Sequence, residues 1–441
     1  MKIYLPIEIK NRELDSRILL ANKFIESGCE VVIGHKNFVN REALCDTGSI
    51  YLSKSCAQID LPFIRQLKRR SFFVGVIDEE AVVHQNISAH IRSRLSSEAL
   101  SLIDYYFAWG NYDSSVVIDN FPLASSKVIV SGNPRLDLLC KGCRHYYFDD
   151  VDDIVKSYGD YIIIPSSFGM CNHFTERGPR LQWRKSLGMI KNKADEQFYI
   201  EYFEHFNSIF LEFISTIRKL SIQFPGRNFI VRPHPSENQD TLLDAFQGLD
   251  NVHVVYDGPV APWLMGSRMV IHNGCTTAIE SILLDKHVVS YRPFVNDKYD
   301  LDLPNEVSTQ VFNYADLASH VATSLAGKLD LSYNANSRLL LSKYILDSCA
   351  PNCHSFDVIA STLLSLGSSS FSFRDCYVSW LFSSFYRVYD IYWRLRSSLR
   401  VHLFARSSKS GYIRQKFDSL SSEELIQRFG RVSFGSHIDT L

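Results

Sequence analysis

The chain has 441 residues, which is too long for one hydrophobic core and predicts two domains with an appendage. Hydrophobic residues make up 46% of it and charged residues 22%, and the formal net charge is −1. This composition is typical of a folded globular protein and gives no general argument for nucleic-acid binding. The chain contains no apolar run long enough to predict a membrane-spanning helix.

Apolar segments alternate with segments of helical periodicity from the first residues onward. The predicted strands of this first series are Lys2–Ile7, Glu30–Gly34, Ile50–Leu52, Phe72–Ile77, Tyr105–Gly110 and Lys127–Gly132. Predicted helices lie between them, for example over Asp15–Ser27 and Leu61–Lys68. Strands that alternate with helices indicate βαβ units and a parallel sheet. We therefore predict an N-terminal Rossmann-like domain over residues 1–150.

A second alternating series follows a charged stretch near residue 150. Its predicted strands are Tyr161–Pro165, Asn228–Val231, short segments at Val252 and Met269, and His287–Tyr291. A long helix is predicted over Glu201–Leu220, and helical residues from about 315 to 366 close the series. The predicted fold class is α/β, with a second Rossmann-like domain over residues 151–366. Two doubly wound domains that face each other across a cleft are the simplest architecture.

Three consecutive carboxylates follow the predicted strand Phe72–Ile77, in the segment Asp78–Ala81 (DEEA). Their mutual repulsion is costly unless one of them is neutralised or used. A carboxylate at the carboxyl end of a strand can deprotonate an acceptor hydroxyl or attack an anomeric carbon. The alternative interpretation is a solvated acidic loop.

A histidine between two prolines follows the predicted strand Asn228–Val231, in the segment Arg232–Glu237 (RPHPSE). Proline fixes its own φ and restricts the residue before it, so His234 lies on a rigid, non-helical segment. At this end of a strand it would face the crevice in which open α/β sheets bind ligands. There it would hold a phosphate or protonate a leaving phosphate oxygen. The alternative is a surface turn.

The segment His272–Ser281 (HNGCTTAIES) predicts a strand end, a glycine-containing turn and a helix start. Thr276 and Thr277 lie where free backbone N–H groups of the helix start would point outward, which favours phosphate. Glu280 follows one helical turn later and is placed to accept hydrogen bonds from a ribose hydroxyl pair. The alternative is an N-cap that binds no ligand.

The chain after residue 366 differs in composition. Phe371–Phe404 is dense in aromatic residues, with interleaved arginines and few acidic residues. Such a segment suits the lipid–water interface, where arginines lie against anionic head groups. We predict a membrane-associating extension over residues 367–441. The alternative is a C-terminal helix that packs on the protein.

The cysteines and the first residues bear on location. The ten cysteines show no disulfide framework spacing, and no signal peptide opens the chain. The sequence therefore predicts reduced thiols and a cytoplasmic protein. Cys140 and Cys143 have CxxC spacing, but without a second such pair they do not predict a zinc site, and no metal is predicted.

Together, the acidic pair, the His-Pro step and the hydroxyl pair resemble the motif trio of bacterial sialyltransferases and polysialyltransferases with the GT-B fold. The layout is also similar to that of capsule and O-antigen Kdo transferases. Three further segments resemble the bacterial surface carbohydrate biosynthesis protein family: Pro6–Arg17, Ile33–Lys36 and Gly132–Arg135. This second resemblance spans roughly residues 1–360.

The resemblance implies a role for each matching residue. Glu79 and Glu80 match the acidic pair, of which one is the base or nucleophile. Ala81 stands where the pattern usually has glycine, so which glutamate reacts stays open. His234 matches the histidine that contacts the donor phosphate and acts as an acid. The implied nucleotide-binding residues are Arg232, His234, Pro235, Asn273, Gly274, Thr276, Thr277 and Glu280, with the two threonines on the CMP phosphate and Glu280 on the ribose.

The donor's chemistry adds one further requirement. A 2-keto sugar acid carries a carboxylate that needs a cation, and the candidates are Lys10, Arg12 and Arg17, with Arg232 as a further one. The alternative interpretation is that these cations are ordinary solvated charges near a helix start. When CMP leaves, negative charge develops on one phosphate. Helix-start amides, two hydroxyls and a histidine can stabilise this charge, so neither a metal nor a cofactor is predicted.

These expectations define one function and several rivals. The predicted enzyme is a glycosyltransferase that transfers Kdo or a sialic-acid-like nonulosonic acid from a CMP-activated donor to a lipopolysaccharide O-antigen or capsule acceptor. Its expected partners are the nucleotide-sugar, a lipid-linked or oligosaccharide acceptor and the anionic inner face of the bacterial inner membrane. The enzyme rivals are a UDP-sugar transferase, a UDP-sugar 2-epimerase and a CDP-glycerol-type phosphotransferase. A non-catalytic scaffold of polysaccharide assembly is the remaining alternative.

Overall fold

The structure is a computed structural model that describes residues 1–84, 86–174, 177–186, 189–328, 333–346, 354–366 and 415–435. The chain divides into two compact units by its internal contacts. Unit 1 comprises Met1–Tyr146 and the described residues of Ser342–Leu441, and unit 2 comprises Tyr147–Leu341.

Unit 1 is built on a six-stranded parallel sheet. Its strands are β1 (Lys2–Ile7), β2 (Glu30–His35), β3 (Ile50–Ser53), β4 (Phe73–Val76), β5 (Tyr105–Ala108) and β6 (Val128–Val130). The strand order is β2-β1-β3-β4-β5-β6. Because the order reverses between β1 and β3, the loops that follow these strands flank the topological switch point, where open sheets bind ligands.

Helices connect the strands of unit 1. They are α1 (Lys10–Glu26), α2 (Lys36–Leu44), α3 (Leu61–Lys68), α4 (Ile87–Arg94), α5 (Ser97–Leu102), α6 (Asn111–Asn120) and α7 (Pro134–Asp137). The sequence predicted the first of these from residue 15, whereas α1 begins at Lys10. The earlier start brings Lys10 and Arg12 into the first turns of a helix next to the switch point.

Unit 2 is built on a second six-stranded parallel sheet. Its strands are β7 (Tyr161–Pro165), β8 (Asn228–Arg232), β9 (Val252–Val254), β10 (Met269–His272), β11 (His287–Tyr291) and β12 (Thr309–Val311). The order β12-β11-β10-β7-β8-β9 is that of a doubly wound Rossmann sheet. Its switch point lies between β7 and β10. The short edge strand β12 was not predicted from the sequence.

The helices of unit 2 follow the same alternation. They are α8 (Phe148–Tyr158), α9 (Arg177–Ser186), α10 (Lys193–Gln223), α11 (Gln239–Ala245), α12 (Val260–Gly266), α13 (Thr277–Leu283), α14 (Asp302–Glu306), α15 (Tyr314–Leu325) and α16 (Tyr333–Leu341). Every residue of β7, β10 and β11 is buried, because a parallel sheet with helices on its faces is covered on both sides. The aromatic face of α10 contributes Phe206, Phe210 and Phe213 to this core.

The end of the chain belongs to unit 1. Helix α17 (Ser355–Leu366) is anchored where the Asp137 carboxylate accepts hydrogen bonds from the Ser355 hydroxyl at 2.8 Å and from the Phe356 N–H at 3.0 Å. Helix α18 (Ser422–Gly435) packs on α1 through apolar side chains. The predicted bounds were 151–366 for the second domain and 367–441 for the extension. Contacts between residues so distant in the chain are not visible in a local pattern.

Two sequence expectations concern the cysteines and the aromatic segment. Cys140 forms a disulfide, so the prediction of reduced thiols is wrong there. A disulfide depends on the approach of two Cβ atoms in space, which cysteine spacing does not show. The predicted interfacial segment Phe371–Phe404 lies outside the described residues. No described helix is long and apolar enough to cross a bilayer.

Candidate functional site

The switch point of unit 2 brings together the loops that follow β7, β8 and β10. The Asn273 side-chain oxygen, just after β10, accepts a hydrogen bond from the Ser167 N–H, just after β7, at 3.1 Å. Asn273 is buried, and its Nδ2 has no hydrogen-bond partner among the described residues. A buried amide that keeps a donor unused at a switch point is suited to a ligand acceptor.

The turn after β10 is fixed from inside by His272, a residue to which the sequence analysis gave no role. Its Nδ1 accepts the N–H groups of Gly274 at 3.0 Å and Cys275 at 3.2 Å. Its Nε2 lies 2.9 Å from the Ser308 hydroxyl. Burial lowers the pKa of His272 to about 3, so the ring is neutral and Nε2 carries the proton. The amides of Gly274 and Cys275 are therefore directed inward, to the ring, and are not available to a ligand.

Glycine is required at one position of this turn. Gly274 has a φ of +81°, in the left-handed region that other residues adopt only with strain. The sharp reversal lets both following amides reach the ring of His272. Glycine at the Asn-Gly step is thus required by the left-handed backbone of the turn, a requirement that was not predicted from the sequence.

The threonine pair follows this turn. Thr276 is exposed, and its side chain makes no capping hydrogen bond, so the interpretation of Thr276 as a simple N-cap has no support in the geometry. The Thr277 hydroxyl is buried and has no nitrogen or oxygen partner among the described residues. Glu280 is buried on the same helix. Because α13 has only seven residues, side chains rather than a helix dipole define this part of the site.

His234 lies on the loop after β8, as predicted, and its ring is oriented by a neighbour. The Ser236 N–H donates to Nδ1 of His234 at 3.2 Å, and the Ser236 hydroxyl lies 2.8 Å from the same atom. Nδ1 is therefore the acceptor, and Nε2 carries the proton of the neutral ring. The loop packs so closely on Gly169 that a Cβ there would lie 2.4 Å from the Ser236 hydroxyl.

Glu237, for which no role was predicted from the sequence, organises the histidine loop. One carboxylate oxygen accepts the N–H of Phe168 at 2.8 Å and that of His234 at 3.2 Å. The other accepts the Ser166 hydroxyl at 2.9 Å. Glu237 thus joins the loops after β7 and β8. Burial raises the pKa of this fully buried carboxyl to about 7, although its hydrogen bonds lower it.

Arg232 was predicted to bind the nucleotide, and the structure shows what its guanidinium contacts. It donates to the carbonyl oxygens of Asp257 at 2.8 Å and Gly258 at 2.7 Å. It also lies over the ring of Trp263, 5.2 Å from the centroid. Burial lowers its pKa to about 10. These contacts stabilise the loop after β9, while Pro235 follows His234 on the loop after β8.

A small pocket, open to solvent, adjoins the turn after β10. Its lining combines apolar and polar side chains: Phe206, Ile209, Asn273, Gly274, Tyr291, Arg292, Phe294, Asp300, Leu301 and Asn305. Asp300 is held by Arg292 at 2.6 Å and by His205 at 2.8 Å. Aromatic and polar side chains of this kind can stack on and hydrogen-bond to a planar base.

The acidic cluster lies in unit 1, at the carboxyl end of β4 and beside the switch point of that sheet. Asp78 is fully buried, and its carboxylate is paired with Arg94. Its carbonyl oxygen accepts the Trp109 Nε1–H at 2.6 Å. Asp78 is therefore a structural anchor of the cluster. Ala81 is buried and is not among the described non-glycine residues with positive φ, so the alanine causes no backbone strain.

The two glutamates have opposite environments. The Glu79 side chain is 3% exposed, and its carboxylate lies 3.3 Å from Arg17 and 3.9 Å from Arg135. The Glu80 side chain is 53% exposed, with Arg12 at 3.5 Å and Arg94 at 3.6 Å. Partial burial alone would raise the pKa of Glu80, but Arg94 and Arg12 outweigh it and hold that pKa below its usual value.

The three cations predicted for a substrate carboxylate also lie in unit 1. Arg17 is buried against Glu79. Arg12 donates to Glu13 at 3.2 Å and reaches toward Glu80. Lys10 lies 2.8 Å from Glu424 of α18. Of the three, Arg12 is the one that borders the exposed carboxylate, and the other two are engaged by residues that local sequence could not pair with them.

No protein-family model and no curated protein matches the chain. Solved structures do resemble it. The wall teichoic acid polymerase TagF superposes with a TM-score of 0.55 at 10% identity, over 83% of this chain and 88% of TagF. A putative UDP-N-acetylglucosamine 2-epimerase from Listeria monocytogenes gives 0.50 at 10% identity, over 84% and 97%. The UDP-GlcNAc 2-epimerase from Neisseria meningitidis, bound to UDP-GlcNAc, gives 0.50 at 12%, over 83% and 100%.

These similarities agree with the two doubly wound sheets and show that the chain has the GT-B fold. The predicted fold class is thereby confirmed, including the helical C-terminal region. At such low identity the comparisons establish the fold alone, because one fold hosts many reactions. Among the described residues, no group of three or more His, Cys, Asp or Glu side chains is arranged to hold a metal ion.

Proposed function

We propose that the protein is a glycosyltransferase that binds its nucleotide-activated donor at the switch point of unit 2. The observation that carries this proposal is the convergence there of His234, Asn273 and the threonine pair. Asn273 and Glu237 bridge the loops on which these side chains lie. The adjoining pocket would take the base, and Glu280 the ribose.

We propose that the donor is a CMP-linked 2-keto sugar acid, either Kdo or a nonulosonic acid, and that the acceptor is a surface polysaccharide. Imidazole, amide and hydroxyl donors meet the phosphate, while Arg232 is engaged by backbone carbonyls and Arg292 by Asp300. Such donors suit the single phosphate of departing CMP better than a diphosphate. Arg12, beside Glu80, is our candidate for the sugar carboxylate.

A second candidate function rests on the fold comparisons. TagF is a wall teichoic acid polymerase that was also solved after a CDPG soak, and the meningococcal epimerase was solved with UDP-GlcNAc. A CDP-glycerol-type phosphotransferase or a UDP-sugar enzyme would use the same edge of unit 2. A UDP-sugar enzyme binds a nucleoside diphosphate, so the nucleotide preference separates it from the first candidate. A CDP-glycerol-type phosphotransferase transfers glycerol phosphate and releases CMP, so that rival is separated by its donor, through CMP release from CDP-glycerol rather than from a CMP-linked sugar acid.

CMP is expected to raise the melting temperature of the full-length protein more than UMP, CDP or UDP. A ligand at a hundred times its Kd stabilises the native state by about 2.7 kcal/mol. The double variant Thr276→Ala, Thr277→Ala should lose most of this shift, because it removes both hydroxyls proposed for the phosphate. Thr323→Ala on α15 is the matched control and should keep it. A larger shift with UDP would favour a UDP-sugar enzyme, whereas CMP release from CDP-glycerol and not from CMP-linked Kdo would favour the phosphotransferase.

We propose that the protein associates with the inner face of the membrane through residues 371–406. Since 415–435 pack on unit 1, the suitable variant replaces 371–406 with a Gly/Ser linker of equal length and keeps α18. This variant should lose binding to vesicles containing phosphatidylglycerol but retain its CMP shift. Salt should weaken the binding of the parent protein only partly, because it screens arginine charge and not aromatic burial. Equal vesicle binding by both proteins would refute the assignment.

A further inference from the structure

Residues 415–435, which we call the C-terminal strap, lie against the start of α1 within unit 1. The apolar side of the strap packs on the buried residues Ile7, Leu14 and Ile18. Its apolar members are Phe417, Leu420, Leu425, Phe429 and Val432. A separation of 408 residues lies between Lys10 and Asp418, so this packing is a long-range tertiary contact.

Ion pairs tie the strap to α1. Lys10 Nζ lies 2.8 Å from Glu424 and 3.2 Å from Asp418. One helical turn further, Arg428 pairs with the buried carboxylate of Asp15. These pairs fix the strap along the first half of α1. None of them involves the acidic cluster, so they hold the strap in place without contributing to the site.

Lys416 makes a different connection. Its Nζ lies 3.2 Å from one carboxylate oxygen of Glu8, the residue just after β1. The other oxygen of Glu8 lies 2.5 Å from Nζ of Lys54, just after β3. Burial alone would raise the pKa of Glu8, but Lys54 and Lys416 lower it to about 2, so Glu8 stays ionised. The strap therefore supplies one of the two cations that hold Glu8 at the switch point.

The connection continues to the exposed glutamate. The Glu8 N–H donates to Glu13 at 2.7 Å, and Lys54 lies 3.8 Å from the same carboxylate. Glu13 in turn accepts a hydrogen bond from Arg12 at 3.2 Å. Arg12 lies 3.5 Å from Glu80. An unbroken series of charged contacts thus runs from the strap to Glu80.

We propose that Lys416 is a positioning residue for Glu80. Through Glu8 it fixes the first turn of α1, and the first turn of α1 places Arg12 beside the reacting carboxylate. The inference rests on the proposed function, in which Glu80, as the exposed glutamate of the acidic pair, is the base or nucleophile. The strap thus does more than cover apolar surface, because its Lys416 supplies a cation to Glu8 at the switch point of unit 1.

Three variants of the full-length protein test this proposal. Lys416→Ala removes the connection, and Lys416→Arg keeps its charge. Lys23→Ala is the matched control, because Lys23 forms a comparable ion pair with Asp357 at 3.1 Å near the other end of α1. Turnover is measured as CMP release from CMP-linked Kdo and from a CMP-linked nonulosonic acid, across a range of pH.

Lys416→Ala should lower kcat by roughly two- to fivefold, the equivalent of one partly exposed ion pair. The KM for the donor should not change, because the proposed nucleotide site lies in unit 2. The acid limb of the pH profile should move to higher pH. Glu80 is faced by Arg12 of α1, Arg94 and His90 of α4, and Lys54 after β3, and a displaced Arg12 lowers its pKa less. Lys416→Arg should restore the parent profile, and Lys23→Ala should leave it unchanged.

Hydrogen–deuterium exchange supplies a readout that needs no donor. Lys416→Ala should raise exchange over residues 8–13 and 78–81, and Lys23→Ala should not. Unchanged exchange and an unchanged pH profile in Lys416→Ala, with Glu80→Gln inactive, would overturn the inference and leave the proposed function standing. Faster exchange without a shifted acid limb would also overturn it, because the strap would then be structural only. An active Glu80→Gln variant would instead refute the role of Glu80, and the inference with it.

Discussion

Glu80→Gln is expected to abolish most turnover, whereas Glu79→Gln is expected to act mainly on stability. Glu80 is exposed, and two arginines keep its pKa below the usual value, so it is ionised at neutral pH. It can therefore accept a proton from an acceptor hydroxyl or attack the donor. Removal of a general base typically costs about 10²–10⁴-fold in rate. Activity should fall with decreasing pH only as Glu80 protonates, below the ordinary range of a glutamate.

Glu79 belongs to a buried ion pair instead. Glu79→Gln removes the charge that compensates Arg17, which is 1% exposed at its side chain. Breaking a buried pair on one side typically costs about 3–5 kcal/mol, because the remaining charge stays buried without its partner. A lowered melting temperature should therefore accompany any loss of turnover in Glu79→Gln, while Glu80→Gln should melt like the parent.

The matched control for both variants is Glu98→Gln. Glu98 forms an exposed pair with Arg65 in the same unit, and such surface pairs contribute little. CMP release and thermal unfolding are measured on all three proteins. If Glu79→Gln is inactive but its melting temperature is unchanged, Glu79 is the reacting carboxylate and Glu80 is not. If both single variants stay active, the acidic cluster is not the reacting centre.

The strands and the segments of the candidate site could be predicted because both follow from local sequence patterns. Tyr161–Pro165 and His287–Tyr291 were predicted with the bounds that the structure shows. A buried parallel strand is an apolar run, and a ligand loop follows its carboxyl end. His234 and Glu79–Glu80 could be located by that rule alone. The rule places a residue at an edge of a sheet but does not say what its side chain contacts.

The roles that sequence left open depend on partners far away in the chain. Whether Glu79 or Glu80 is exposed is decided by Arg17 and Arg135, one on α1 and the other on α7. Lys10 seemed available for a substrate, yet its partners lie in the strap. Local periodicity contains no information on such pairs, because long-range contacts form only when the tertiary fold brings the elements together.

Two residues could have been recognised from their positions. Glu237 lies in the same short segment as His234, and an acidic residue three positions after a rigid histidine suggests a partner for the loop's own amides. His272 precedes an Asn-Gly step, where a ring nitrogen can accept the following N–H groups. Their burial decides their roles, and burial at a strand end cannot be deduced from residue type.

His234→Ala is expected to lower turnover by roughly 10²–10⁴-fold if the ring protonates the departing phosphate oxygen. Because Ser236 donates to Nδ1, the proton of the neutral ring resides on Nε2, the atom that can donate to a ligand. CMP release is measured for the parent and for His234→Ala under identical conditions. His234→Gln retains a hydrogen-bond donor but supplies no acid, so it should recover CMP binding more than turnover.

Glu237→Gln separates the chemistry of His234 from the order of its loop. Burial raises the pKa of Glu237 from 4.5 to about 7, so the folded protein holds this proton where an unfolded chain has lost it. Its contribution to the free energy of unfolding is therefore present below pH 4.5 and is lost as pH rises through 7. Glutamine imitates the protonated carboxyl, donates to Ser166 and does not titrate. Glu237→Gln should keep turnover near the parent level and flatten the decline of stability between about pH 5 and 7.

The two variants together decide what His234 does. A fast His234→Ala enzyme would reduce the histidine to a turn residue and move the acid function elsewhere in the site. If Glu237→Gln were as slow as His234→Ala and melted normally, a titrating Glu237 would itself be needed for the reaction. If His234→Ala is slow and Glu237→Gln is active, the imidazole ring is the acid and Glu237 positions the loop that carries it. The reason is that glutamine keeps the hydrogen bonds of the loop, whereas alanine removes the only group of the pair that can supply the proton.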